Sequence, residues 1–160
     1  MIKTKTKAAC SIRWMIRADL QNVVEIEARA GENKWSMEDF LRRLQRRDCI
    51  GKVCVGADDT KILGYIVYEL HEDHLHISNF TVDNKYQRKS IGFHMMENMK
   101  SKLSEHRRTF IEMEIRENNL EGQLFLKQMN FACDDIIKDW FDNSDESCED
   151  GYHFTFNRED

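Results

Sequence analysis

Between His74 and Leu103 the chain runs through an apolar stretch, a short basic turn and a helically periodic segment. Leu75 to Val82 reads as a strand and Asp83 to Lys89 as the turn. The stretch from Ser90 reads as a helix with Ile91, Met95, Met99 and Leu103 on one face. A strand that feeds a helix through Arg88, Lys89, Ser90 and Gly92 aims backbone N–H groups and a helix N-terminus at one point, and that point suits a phosphate. An ordinary strand-to-helix connection with an exposed basic pair uses the same residues, so the turn alone does not decide.

A second set of reactive groups falls on the strand expected over Phe110 to Arg116. Ile111, Met113 and Ile115 face one way there, and Glu112 and Glu114 the other. A partly buried carboxylate in that place can have its pKa raised toward neutrality and act as a general base. Acids spaced by two are equally the pattern of a solvated sheet face, which is the reading for Glu112. His71, His74 and His76 cross an expected hairpin turn and lack a fourth ligand, so they read as surface histidines. The acidic run from Asp142 to Asp150 has no glycine turn of a calcium loop and reads as a solvated connection. No metal is expected.

The elements that must position these groups follow from periodicity and caps. Cys10 to Arg17 alternates as a first strand, and Asp19 is the expected N-cap of a helix through Leu20, Val23, Val24 and Glu27 that Gly31 ends. Ser36 stands three residues before Asp39, a capping-box start to a helix through Phe40, Leu41 and Leu44, with Trp35 placed as a staple on Phe40. Arg42, Arg43, Arg46 and Arg47 on that helix read as a solvated face. Cys49 to Gly56 and Ile62 to Leu70 form a hairpin, and Leu75 to Val82 continues it. A helix over Leu120 to Met129, N-capped by Asn119, follows the strand at Phe110. Phe131 to Trp140 and Gly151 to Asn157 close the sheet.

Two blocks of this sequence resemble a known family. Gln87-Arg88-Lys89-Ser90-Ile91-Gly92 is similar to the Q/R-x-x-G-x-G/A loop of the GNAT acetyltransferases, which wraps the pyrophosphate of acetyl-CoA. Some thirty residues on, Glu114-Ile115-Arg116-Glu117-Asn118-Asn119, followed by Leu124-Phe125-Leu126-Lys127-Gln128-Met129-Asn130-Phe131, resembles the E-V-R-x-x-N…L-Y/F-x-x-x-G-F block of RimI-type protein N-terminal acetyltransferases. The element order β-α-α-β-β-β-α-β-α-β-β matches the GNAT fold. The resemblance implies an α/β (α+β) chain with one mixed, mostly antiparallel sheet of about seven strands, about four helices and a splayed cofactor cleft.

By the same resemblance the chain is an acetyl-CoA-dependent N-acetyltransferase. Phe80, Thr81 and Val82 would pair with the pantetheine arm, the amides of Arg88, Lys89, Ser90, Ile91, Gly92 and Phe93 would take the pyrophosphate, and Asn119 would contact the cofactor. Glu114 matches the family's general base, and the acceptor implied is a protein or peptide N-terminus of the ribosomal-protein alanine type. Alternatives within the fold are a small-amine or lysine acetyltransferase and an acyl-CoA-binding module without turnover.

The sequence departs from the family at three places. Ser90 stands at the first glycine of the loop, where a left-handed backbone would cost serine about 1 kcal/mol. Asn130 replaces a glycine and is the residue type best able to take such a turn. Leu126 replaces the tyrosine that protonates the leaving thiolate. Either the thiolate leaves unprotonated, or Tyr152, Tyr65 or Cys133 takes that role.

With 160 residues and 41% hydrophobic content the chain suits a single domain, residues 1–9 forming a flexible tail. A net charge of -5 argues against direct nucleic-acid binding. Five cysteines without a C-x-x-C pair point to a reduced cytoplasmic setting. The N-terminus lacks the apolar run of a signal or anchor, and no membrane association is expected. A monomer or weak dimer is expected. Proline is absent, so turns depend on Asn, Asp and Gly.

Overall fold

The computed structural model describes residues 10–87 and 90–158, so the expected tail and the pair Arg88 and Lys89 lie outside the described residues. The elements are β1 (Cys10–Trp14), α1 (Leu20–Ala30), α2 (Met37–Leu44), β2 (Cys49–Gly56), β3 (Ile62–Leu70) and β4 (His74–Val82), then α3 (Ile91–Lys100), β5 (Phe110–Arg116), α4 (Leu120–Gln128), β6 (Ala132–Asp142) and β7 (Cys148–Asn157). The strands form a seven-stranded sheet in the order β1-β2-β3-β4-β5-β7-β6. It is mixed. β4 and β5 run parallel, while β1/β2, β5/β7 and β6/β7 are antiparallel. Among the described residues no helix is long and apolar enough to cross a membrane.

Contacts group the chain into two compact units, one made of the chain up to Val67 with Asn79–Met95, the other of Tyr68–Ser78 with Met96 onward. The first unit is built on the apolar faces that helical and strand spacing dictate. Leu20, Val23 and Ile26 of α1 and Phe40 of α2 close over Val53, Val55, Tyr65 and Val67 of β2 and β3. Full burial of each such side chain contributes about 1.5–3 kcal/mol. The capping box forms: Asp39 N–H donates to Ser36 Oγ at 3.2 Å, and Ser36 N–H to the Asp39 carboxylate at 2.9 Å. Trp35 packs edge-on against Phe40 at 5.1 Å, the staple expected from its place before the cap.

Two local expectations change in this unit. β1 stops at Trp14, three residues early, because residues 17–19 form a 3-10 turn. Asp19 does not cap α1 with its side chain. Its carboxylate accepts the Ile16 N–H at 2.8 Å and both Nη groups of Arg13 at 2.8 and 2.9 Å. A bidentate guanidinium is the stronger partner for a carboxylate that is mostly removed from water.

The second unit buries Leu75 and Ile77 of β4, Ile111, Met113 and Ile115 of β5, Leu126 of α4, Met129, Phe131 and Phe154 of β7. Asn119 caps α4 as expected, accepting the Gly122 N–H at 3.0 Å. Asn130 has φ 66, the left-handed turn that its residue type tolerates. β7 begins earlier than expected, at Cys148, and Glu149 is buried and not part of a solvated loop. Glu149 accepts from Arg116 Nη1 at 3.1 Å and from Asn118 N–H at 3.2 Å, so it pins the turn that leads from β5 into α4.

Candidate active site

The residues expected to hold a phosphate and a pantetheine arm fall in the first unit. The parallel register of β4 with β5 runs from His74↔Phe110 to Ile77↔Met113, and β4 continues beyond it through Phe80, Thr81 and Val82. Phe80 and Val82 are half-buried, and the Thr81 hydroxyl donates to Asn79 Oδ1 at 3.1 Å. Asp83 ends the strand, held by Arg29 Nη2 at 2.7 Å. Burial alone would raise the pKa of the Asp83 carboxyl, but the Arg29 hydrogen bond and the Lys85 N–H outweigh it and hold the pKa below the usual range.

Past the basic pair, Ser90 sits at φ 67, so serine occupies a left-handed backbone where the family has glycine. His94 N–H donates to the Ser90 carbonyl at 3.0 Å and closes the opening turn of α3. The amides of Ile91, Gly92 and Phe93 lie ahead of that bond, in the turn that helix geometry leaves without intrahelical acceptors. Ile91 is buried and anchors the turn, while Phe93 is exposed.

A closed polar cluster in the same unit was not expected from the sequence. Glu27 of α1 is fully buried and accepts from the Tyr65 hydroxyl, from Asn79 Nδ2 at 2.9 Å and from the Trp35 N–H at 3.4 Å. A Cβ at Gly31 would run into the Glu27 carboxylate, which accounts for glycine there at an ordinary φ of -76. Burial and the neighbouring Glu27 charge push the Tyr65 phenol far above its ordinary pKa. That proton is committed, so Tyr65 is a poor replacement for the missing tyrosine acid. Leu126 itself is buried core. Tyr152 is paired with Ile115 across β5 and β7, on the face opposite Glu114.

The second unit holds Glu114 and a network of histidines around it. On β5, Glu112 and Glu114 share a face as the alternation requires, and His153 of β7 stands opposite Glu114. Glu114 Oε2 lies 2.7 Å from His76 Nε2, and its side chain is 12% exposed. Glu112 lies 2.9 Å from His74 Nε2 and 3.0 Å from His153 Nε2. His153 Nδ1 is 2.5 Å from Asp134 Oδ1. Glu69 of β3 sits 3.2 Å from His71 Nε2 and 4.0 Å from His76 Nδ1.

These distances correct the reading of His74 and His76 as surface residues and of Glu112 as a solvated acid. The side chains of His74 and His76 are 17% and 20% exposed. Parallel pairing of β4 with β5 sets both histidines beside the two glutamates. Sequence spacing could have found half of this, since His74 and His76 alternate as Glu112 and Glu114 do. Which strands are neighbours was the missing information.

Protonation of the rings follows from these partners. For His76, burial alone lowers the pKa, but the Glu114 hydrogen bond and the charges of Glu114, Glu69 and Glu112 outweigh it and raise the pKa above the ordinary histidine value. His153 is raised in the same way, burial being outweighed by Asp134 and Glu112. Among the described residues no group of three or more His, Cys, Asp or Glu side chains is arranged to hold a metal ion.

Comparison with known proteins agrees with this architecture. Residues 20–131 match the Acetyltransferase (GNAT) family. A Bacillus subtilis (strain 168) protein assigned as a ribosomal protein bS18-alanine N-acetyltransferase is 24% identical over 142 residues, which cover 89% of this chain and 92% of that protein. The crystal structure of the ribosomal-protein-S18-alanine N-acetyltransferase from Escherichia coli superposes with a TM-score of 0.79 at 20% identity, covering 92% of this chain and 93% of that one. Ard1 from Thermoplasma volcanium gives a TM-score of 0.81 at 21% identity, over 95% of this chain and 99% of that one. At these identities the two solved structures establish the fold.

Proposed function

Because this chain belongs to the GNAT acetyltransferase family and is an acetyl-CoA-dependent N-acetyltransferase, we propose that its acceptor is the α-amine of a protein N-terminus. An alanine-starting ribosomal protein in the cytoplasm is the first candidate, since the Bacillus subtilis relative named for that reaction matches along nearly its whole length.

Acetyl-CoA supplies an acetyl group already activated as a thioester. Phe80, Thr81 and Val82, the amides from Arg88 to Phe93, and Asn119 are the residues that would hold it. One observation supports the fit: the left-handed backbone at Ser90 opens a helix whose first amides have no intrahelical acceptors.

Glu114 is the base. As the amine nitrogen bonds to the acetyl carbon, Glu114 takes the proton that the nitrogen must lose. A placed carboxylate in this role contributes about 10²–10⁴-fold in rate. The sulfur leaves as thiolate, which a thiol pKa of about 8.5 permits without a side-chain acid, in keeping with the buried leucine at 126. The observation that carries the reading is Glu114 itself: the carboxylate that matches the family's base is mostly buried, and a histidine nitrogen lies within hydrogen-bond distance of it.

Thiol release from acetyl-CoA tests the acceptor. An alanine-starting peptide is expected to be at least tenfold better in kcat/KM, about 1.4 kcal/mol, than an N-blocked lysine peptide or a polyamine. Turnover confined to the polyamine or the lysine peptide contradicts the proposal.

A further inference from the structure

Building on the reading of Glu114 as base, we infer that the reaction's proton leaves Glu114 through His76 and reaches solvent by way of Glu69 and His71. The path is continuous in the second unit. Glu114 Oε2 meets His76 Nε2 at 2.7 Å, His76 Nδ1 faces Glu69 Oε1 at 4.0 Å, and Glu69 Oε2 meets His71 Nε2 at 3.2 Å. The one long span is of a length that a bridging water closes.

The carboxylate in the middle is held in place. Ser78 Oγ donates to Glu69 Oε1 at 3.2 Å, and the Glu69 side chain is 14% exposed. His71, at the outer end, is 40% exposed. Its ring stacks on His74 at 4.4 Å and meets His76 edge-on at 6.4 Å, so its position is fixed while its edge reaches water.

The proton count closes without any change of oxidation state. Glu114 receives one proton from the attacking nitrogen and passes it to His76 Nε2. His76 then releases a proton from Nδ1 toward Glu69, and His71 passes it to solvent. Each ring takes its proton on Nε2 and gives one up from Nδ1, so each is left neutral in the Nε2–H form. Exchange with water, one proton gained at Nδ1 and one lost from Nε2, restores the Nδ1–H form, while Glu114 is again a carboxylate. His76 acts through Glu114, so it is a positioning and relay residue.

The titratable groups facing His76 are Glu69 from β3, Glu112 and Glu114 from β5, and the His71 ring, which in turn stacks on His74. His153 lies 4.0 Å from Glu114 on the far side, tied to Glu112 and Asp134. This acidic surrounding favours the protonated ring, which a relay must be able to form.

The test is the pH dependence of thiol release by His76→Gln. Glutamine keeps a hydrogen-bond donor near Glu114 but cannot carry a proton through. Wild type is expected to gain activity through an ionisation above about 6.5. The variant is expected to keep its acetyl-CoA affinity, lose at least about tenfold in kcat and lose that limb. An unchanged limb and unchanged kcat overturn the relay while leaving the acetyltransferase reading intact. Failure of wild type to release thiol with any amine defeats that reading instead. NMR titration of the wild-type ring is independent of whether the variant folds: His76 is expected to titrate above about 6.5, and lower in Glu114→Gln. A His76 titration indifferent to Glu114 overturns the relay.

Discussion

Each unit of this chain takes a glutamate out of water and surrounds it with hydrogen-bonding partners, but the two surroundings differ in kind. Glu27 is met by a phenol, an amide side chain and a backbone N–H, none of which exchanges protons near neutral pH. Glu114 is met by an imidazole that does. A buried carboxylate with only committed donors is a structural tie that fixes α1 on β3 and β4. One beside a titratable ring, in a network ending at a side chain open to solvent, can take up a proton and pass it on. Burial alone therefore does not pick out the base.

The largest effect expected from this contrast is on stability. Glu27→Ala leaves the Tyr65 hydroxyl and the Asn79 amide without their acceptor in a sealed interior. The loss should be about 3 kcal/mol, a fall of roughly 6–12 °C in Tm. If Glu27 were a second proton carrier, the variant would instead keep its Tm and change its pH profile.

The pH dependence of unfolding is the next largest effect. His76 and His153 have raised pKa values in the folded chain. Their contribution is fully present below the unfolded value of about 6.5 and is lost as pH rises through the folded values. Asp19 and Asp83 in the first unit are lowered, Asp19 because Arg13 and the Ile16 N–H outweigh its burial, Asp83 because Arg29 and the Lys85 N–H do the same. Their contribution holds above about 3.9 and is lost as pH falls through the folded values. The urea midpoint should thus decline on both sides, the alkaline decline vanishing in His76→Gln with His153→Gln. A midpoint flat across the alkaline window breaks the comparison.

The smallest effect belongs to Ser90. Glycine there removes a left-handed cost of about 1 kcal/mol, and its greater freedom in the unfolded chain offsets part of the gain. Acetyl-CoA affinity of Ser90→Gly, measured by titration, should rise by less than about tenfold. A larger gain marks the serine as a defect in the loop.

Most of the fold could be read from the chain because local signals and tertiary needs agree. Ser36 and Asp39 form their capping box, Trp35 its staple, Asn119 its cap and Asn130 its left-handed turn. Asp19 broke that pattern because Arg13, six residues away, offered a stronger partner than a helix N-terminus. The histidine network stayed hidden for a related reason. His76 and Glu114 are 38 residues apart, and only the parallel pairing of β4 with β5 makes them neighbours. Glu27 was read as one position on a helical face; its partners come from Tyr65 and Asn79, which the spacing of α1 does not reveal.

The role of Glu114 is tested by kcat for an alanine-starting peptide in Glu114→Gln, with acetyl-CoA affinity measured on the same protein. If Glu114 takes the amine proton, kcat falls by about 100-fold or more with affinity unchanged. A variant that turns over as fast as wild type would contradict that role.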